Sequence, residues 1–598
     1  MYSLSRATGT KKNLQRHVRG LLVARISRRC TAASKLEPFL SGAPETQPVR
    51  RLISRFPRID TWGGVMTRKH SRSIALLSAM MMLVASFGVI FTSASAQEDR
   101  PILVHATNAG DKATFDPHLA AGTQDRTVVD MVFNGLLRFK PGDSSVIEPD
   151  LATAVPEPVA EADGTQSWTF TLRTDATCHA STKSDAYMLT ADDVVFSFQK
   201  AANPDTSGVS GDYKDFVFEK VDDATVKVTV PSPLGPAVFL PKFTNYAGGY
   251  IVCQKAYEAL GADGFANEPI GTGPFKFSAY TPQTSTTLVA NDDYFRGAPK
   301  LGGVEVRYIA DNTARELGIQ SGELDVANGL PEAQFVERMN QQSNIVADVF
   351  GVGEAVWLNL DTTNEYLQDA KVREAIVLAV SRENHVALAG APVAEPIYSI
   401  VPTGIVQGSL SQEEAQAAGV LYEQDLDRAK QLMSEAGYAD GFTLHLITSE
   451  QAAYLTQYTV LQEELAQIGI QVELEVVQHA VMHEQIRAGS NAIVIYIAFR
   501  PTADTYLSQF FTSGGGNTNF SHYTLDDEIA AARALTDADA QIAAWKQINI
   551  EILQNFAGYG LMYTNQVYVR QSSVDYGHEL VAVPQLYPGY NELTTITK

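Results

Sequence analysis

The sequence predicts an α/β protein built as two lobes, the first richer in β-structure than the second. Short alternating runs dominate residues 102–289, whereas strand and helix patterns alternate over 442–498. The chain has 598 residues, 45% of them hydrophobic, with 43 Gly and 26 Pro. That is ordinary globular composition, and enough length for more than one core.

The strand patterns of the first part lie at 102–105, 167–173, 225–230 and 285–289. Trp168, Phe170 and Leu172 alternate with polar residues, as a half-buried strand requires. Helical spacing begins at 369–380, where Val372, Ala375, Ile376 and Ala379 share one face. A second helix over 425–436 starts on Asp425 and stops at Gly437, and a third over 454–468 stops at Gly469. Strands at 442–447 and 470–476 flank the third helix, making a strand-helix-strand unit. The uninterrupted apolar run 491–498 predicts a buried parallel strand. No repeat and no low-complexity linker interrupts residues 97–598.

Charge divides the chain in two. Its formal net charge is −22, yet residues 1–96 carry 16 basic and only 3 acidic side chains. The remainder therefore carries −35, which argues against nucleic acid or an anionic membrane as partner. Met66 to Arg72 is basic, residues 74–91 are uncharged and apolar, and Ala94-Ser95-Ala96 offers an A-x-A exit. We read 66–96 as a cleaved secretory signal and 1–65 as a mis-start or disordered extension. Cys30 falls in that extension. Cys178 and Cys253 would then reside in an oxidising compartment, as one disulfide or as two buried thiols.

Nine phrases in order are more specific than any periodicity. They are Ser167 to Arg173, Leu189 to Phe198, Pro269 to Phe275, Leu288 to Phe295, Ser321 to Asp325, Lys371 to Ile376, Val401 to Gly404, Asp425 to Met433 and Glu435 to Tyr438. Thr190 with Asp192 and Asp193 suits a helix start, Gly271, Gly273 and Pro274 suit a tight turn, and Arg173 and Arg373 suit structural ion pairs. In this order the phrases resemble the large periplasmic solute-binding proteins of ABC importers. The class is the dipeptide/oligopeptide/nickel one, family 5 of the extracellular solute-binding proteins. The resemblance runs from about Ile102 to about Arg570.

The resemblance implies a two-lobed periplasmic-binding-protein fold of type II, in the large cluster with an extra β-rich subdomain in lobe I. Lobe I would comprise residues 97–357 and 563–598, and lobe II residues 358–562. The crossings would lie near 354–361 and 561–570. It also implies a non-enzymatic, monomeric binding protein of the periplasm, without cofactor. Its partners would be a peptide or small solute and an ABC permease with its ATPase subunits. A nickel chelate, an opine-like conjugate and an oligosaccharide stay open as ligands. A secreted peptide hydrolase is the rival from another class.

The same resemblance points to ligand contacts. Tyr496, Phe499, Arg500 and Asp504 stand where the family lines its cleft, beyond the end of a strand. Asp504 matches an Asp that meets a peptide's α-amino group, although Thr505 replaces the usual Pro. An N-cap is its structural alternative. Gly122 and Thr123 resemble a lobe I loop that approaches the ligand, and Trp357 and Asn359 lie at the first crossing. Asn519 and Tyr523 follow the Gly-rich stretch 513–517, read as a flexible loop near the cleft. Catalytic and metal motifs are missing: there is no G-x-S-x-G and no H-E-x-x-H. His479 and His483 share a helix face beside Glu484 but lack a third ligand, and read as a solvated surface pair. Cys178-His179 cannot form a nucleophile pair on one strand, because neighbouring side chains point to opposite faces.

Overall fold

The computed structural model describes residues 100–351, 353–404 and 406–597. The signal and extension expected at 66–96 and 1–65, with Cys30, lie outside the described residues. No helix among the described residues is long and apolar enough to cross a membrane.

A seven-stranded mixed sheet organises the first lobe. Its order is Phe275–Thr281, Ser285–Ala290, Gly303–Tyr308, Ile102–Thr107, Val326–Asn328, Gln566–Gln571 and Ile345–Phe350. A separate four-stranded antiparallel sheet carries Pro158–Ala160, Gln166–Thr171, Thr225–Val230 and Val217–Asp222. Trp168 and Phe170 point inward from it, and Trp168 stacks on Phe239 with ring centroids 4.1 Å apart. Cys178 and Cys253 are disulfide-bonded, tying the strand pair Thr177–Cys178 and Tyr187–Met188 to the start of helix Gln254–Leu260.

The second lobe is built on a four-stranded sheet in the order Ala394–Pro396, Gly558–Thr564, Ala355–Leu360 and Ile493–Ala498. Beside it lies the strand-helix-strand unit of Phe442–Ser449, Ala452–Ala466 and Ile470–Val477, whose two strands pair in parallel. Asp425 caps helix Leu426–Glu435 by accepting from the Arg428 N–H at 2.9 Å. Gly437 and Gly469 follow their helices at φ +88° and +90°, where a side chain would be strained.

The apolar run 491–498 is a strand but not a parallel one: Ile493–Ala498 pairs antiparallel with Ala355–Leu360. Continuous hydrophobicity reports burial on both faces and carries no information about direction. Gly271 and Gly273 serve close approach rather than a left-handed turn. A Cβ at either would stand 2.2–2.4 Å from the carbonyl oxygens of Val132 and Met131. Arg173 ion-pairs with Asp175 at 2.6 Å. Arg373 instead donates to the carbonyls of Leu367 and Asn555 and makes no ion pair among the described residues.

The chain changes sheets twice. Ile345–Phe350 belongs to the first lobe's sheet and Ala355–Leu360 to the second's; Gly558–Thr564 belongs to the second and Gln566–Gln571 to the first. Residues 357 and 562, taken from the sequence as lobe boundaries, therefore lie inside strands of the second lobe's sheet. Outgoing and returning strands pair with each other on both sides of the passage. Away from this passage the lobes also touch at Gly235, whose N–H donates to the Arg533 carbonyl at 2.8 Å. A Cβ there would meet the Leu535 oxygen at 2.0 Å, so only glycine permits this approach. Val238, a few residues on, is buried in the second lobe's apolar core.

Candidate functional site

Between the lobes lies a cavity of about 260 Å³. The first lobe lines it with Arg126, Asp212, Tyr213, Lys242 and Tyr246, the second with Phe499, Arg500, Thr502, Asp504 and Gln509. The second-lobe residues occupy the turn after strand Ile493–Ala498 and the first turns of helix Ala503–Phe511. A smaller chamber of about 90 Å³ shares Phe139, Pro241, Pro501, Thr502 and Asp504 with the first. Its own walls mix apolar Ile147, Val406, Ile542 and Trp545 with polar Ser144, Ser145 and Gln407.

The cavity's five charged side chains are matched differently. Lys242 ion-pairs with Asp212 at 2.8 Å, and Asp504 ion-pairs with Arg533, so both carboxylates are already matched. Arg126 and Arg500 are the two cavity cations with no carboxylate partner among the described residues. Arg126 lies over the Tyr246 ring, 5.2 Å from its centroid. Arg500 donates through Nε to the Gln509 side chain at 2.6 Å and through an η nitrogen to the Phe499 carbonyl at 2.8 Å. These bonds fix the fork while leaving donors for a ligand, and a guanidinium presented this way suits a carboxylate.

Of the residues singled out in the sequence, Phe499, Arg500 and Asp504 line the cavity. Asp504 is not the N-cap, because Thr502 holds that position and accepts from the Thr505 N–H. Gly122 precedes helix Thr123–Val132 and Thr123 opens it, but the side chain from this helix that lines the cavity is Arg126. Trp357, wholly buried, packs edge-on against Tyr496, Tyr506 and Phe510 as core. Tyr496 is buried with it. Asn359 is also wholly buried, and neither side-chain polar atom has a partner among the described residues. Asn519 donates to the Arg487 carbonyl and Tyr523 to Glu551, both away from the cavity lining. The stretch 513–517 is held by Asp526 and by the Gln509 carbonyl, and contributes no lining residue.

His479 and His483 are not the solvated pair expected. Both are half-buried, with Nε2 atoms 3.2 Å apart, and Tyr454 and Tyr496 pack on the His483 ring. Burial, aided by His479 and Arg487, lowers the His483 pKa to about 4. Among the described residues no group of three or more His, Cys, Asp or Glu is placed to hold a metal. His179 is buried and hydrogen-bonded to the Gly273 carbonyl, and its neighbour Cys178 is in the disulfide.

Sequence reasoning missed Arg126, Asp212, Tyr213, Lys242, Tyr246 and Gln509. Arg126 was within reach, one helical turn after Thr123. The others come from loops brought to the cleft only by long-range folding.

Comparisons with known proteins bear on the family and the fold. The family model described as Bacterial extracellular solute-binding proteins, family 5 Middle, matches residues 146–518, more than half of the chain. Di/tripeptide-binding protein 2 of Pseudomonas aeruginosa is 26% identical over 487 residues, covering 76% of this chain and 88% of that protein. Glutathione-binding protein GsiB of Salmonella paratyphi A is 25% identical, covering 73% and 83%. Among solved structures, MoaA of A. tumefacien R10 in complex with mannopinic acid is 33% identical. It superposes with a TM-score of 0.68 over 83% of this chain and all of that one.

Proposed function

The chain belongs to the bacterial extracellular solute-binding proteins of family 5, and from that premise we propose that it captures a small carboxylate-bearing solute in the periplasm. It then delivers that solute to an ABC permease driven by cytoplasmic ATPase subunits. The ligand class is a peptide or an amino-acid-derived acid. One observation carries this reading: Arg126 from the first lobe and Arg500 from the second face one cavity without carboxylate partners. Two cations enclosed in a cleft favour an anionic occupant, and contacts from both lobes stabilise the closed arrangement only through the ligand they share. The relatives support the class, since one binds di- and tripeptides, one glutathione, and one solved structure holds mannopinic acid. Residues 66–96 would direct export, and the mature protein would act as a monomer.

The test is native mass spectrometry of the protein exported from its own host. A retained mass that bears a carboxylate and leaves on denaturation supports the proposal. Retention of a solute that bears no carboxylate, or equal retention by Arg500→Gln, overturns it.

A further inference from the structure

The contact between the lobes at Gly235 belongs to a short strap. Residues 234–239 follow strand Thr225–Val230 of the first lobe and end in the helical turn Pro236–Phe239. The strap is rooted in its own lobe. Phe239 is wholly buried there against Trp168, and the Leu234 N–H donates to the Gln166 side chain at 3.0 Å. The same Gln166 oxygen accepts from the Trp168 indole, so strap and sheet are tied at one point.

Its other residues face the second lobe. Val238, next to Phe239 in sequence, is buried in the second lobe's core and also lines the cavity between the lobes. Gly235 meets the corner between helices Asp526–Ala534 and Ala538–Gln554, where the Arg533 carbonyl accepts its N–H. Second-lobe groups set that corner: Gln541, wholly buried, donates its amide to the carbonyls of Ala532 and Arg533 at 2.9 and 3.3 Å. The Gly235 backbone, at φ −68° and ψ 157°, is one that alanine adopts freely. Glycine here therefore answers to the approach of the other lobe and not to its own conformation. Burial of a valine and one hydrogen bond favour the docked strap whether or not a solute is present.

We propose that residues 234–239 form a latch that holds the cleft shut without a solute, so that entry and exit wait on its release. Val238 is at once a wall of the cavity and the plug in the second lobe, so undocking the strap opens that wall. Arg533, whose carbonyl receives Gly235, holds the cavity residue Asp504 through its side chain, which joins the socket to the solute's surroundings. The inference concerns closure and holds for any class of solute.

Neighbouring amides supply the readout. Leu234 bonds within its own lobe and Gly235 across the cleft. Release of the latch therefore frees the Gly235 amide for hydrogen exchange and leaves that of Leu234 protected. Exchange at single-residue resolution is measured on the exported protein, dialysed until native mass spectrometry shows no retained solute. In the natural protein the Gly235 amide should exchange about tenfold or more slowly than in an unstructured peptide. Gly235→Ala keeps every side chain yet sets a Cβ 2.0 Å from the Leu535 oxygen, and Val238→Ser removes the plug. Each should speed exchange at residue 235 by about tenfold or more, the worth of one buried valine, with Leu234 unchanged. Small-angle X-ray scattering should show a larger radius of gyration in both. Gly235→Ala carries the test if Val238→Ser folds poorly. Peptide-like exchange at Gly235 in the natural protein, or unchanged exchange or radius in Gly235→Ala, overturns the latch. Equal acceleration at Leu234 does so too, since the strap would then be unravelling within its own lobe.

Discussion

Arg533 holds Asp504 in a two-point ion pair, Nε on one oxygen and an η nitrogen on the other at 3.0 Å. The two side chains are unequally placed: that of Asp504 is 6% exposed, that of Arg533 40%. Removing Arg533 leaves a buried carboxylate unmatched, whereas removing Asp504 leaves a guanidinium that can turn to water. Arg533→Ala should therefore cost about 3 kcal/mol in urea unfolding and Asp504→Ala about 1 kcal/mol. Equal losses would contradict the asymmetry.

Arg126 and Arg500 are expected to matter for capture and little for folding. Arg126→Gln and Arg500→Gln should each weaken binding of the retained solute by about tenfold or more, the worth of a charged hydrogen bond. Calorimetry reads the affinity and the urea midpoint should stay unchanged. A shifted midpoint with intact affinity would reassign both residues to the scaffold.

Acid should destabilise the first lobe. Burial lowers His105 to about 3, His118 to about 4 and His179 to about 3, against 6.5 for the exposed ring. Lys200 adds to the depression of His118. Below pH 6.5 the unfolded chain takes up protons that the folded chain refuses, so stability falls as pH drops from about 6.5 toward 4. Above 6.5 these rings contribute no slope. Urea midpoints at pH 7.5, 6 and 5 measure the fall, and His179→Asn should make it shallower.

Cys178 and Cys253 close a loop spanning 75 residues of sequence. Opening it should lower stability by about 2–4 kcal/mol on the chain-entropy account. Alkylation should label neither cysteine until a reductant is added, and labelling of both beforehand would refute the bond.

Asn359 buries an amide with no partner for its oxygen or nitrogen among the described residues. Leucine has nearly the same shape without the stranded polar atoms. Asn359→Leu should leave solute binding intact and raise stability by about 1 kcal/mol. Lost binding would return this residue to the cleft, where the sequence alone had put it.

Local chemistry made much of the second lobe readable. Asp425 and Gly437 mark their helix ends because caps and left-handed stops are decided within a few residues. The unit 442–477 was visible through its change of period. The turn carrying Phe499, Arg500 and Asp504 was readable from the strand that precedes it, but the pairing of Asp504 was not, since Arg533 arrives on a helix 29 residues later. Asp212, Lys242 and Tyr246 were unreadable for a similar reason: no short-range pattern tells which loops of one lobe will face the other. Strand direction at 493–498 was lost because burial on both faces looks alike in either sense.

The two strand-to-strand passages, between Phe350 and Ala355 and at Asn565, have a mechanical consequence. Two chain segments pinned side by side define an axle, and rotation of one lobe displaces each residue in proportion to its distance from it. Arg500, two residues beyond the partner of Ala355, stands near that axle, while Arg126 and Tyr246 are carried by the opposite lobe. A solute held by both arginines would therefore tie together two bodies that the axle alone leaves free to turn. The hydrogen bond from Gly235 to Arg533 is a contact that such turning would break, and so gauges it.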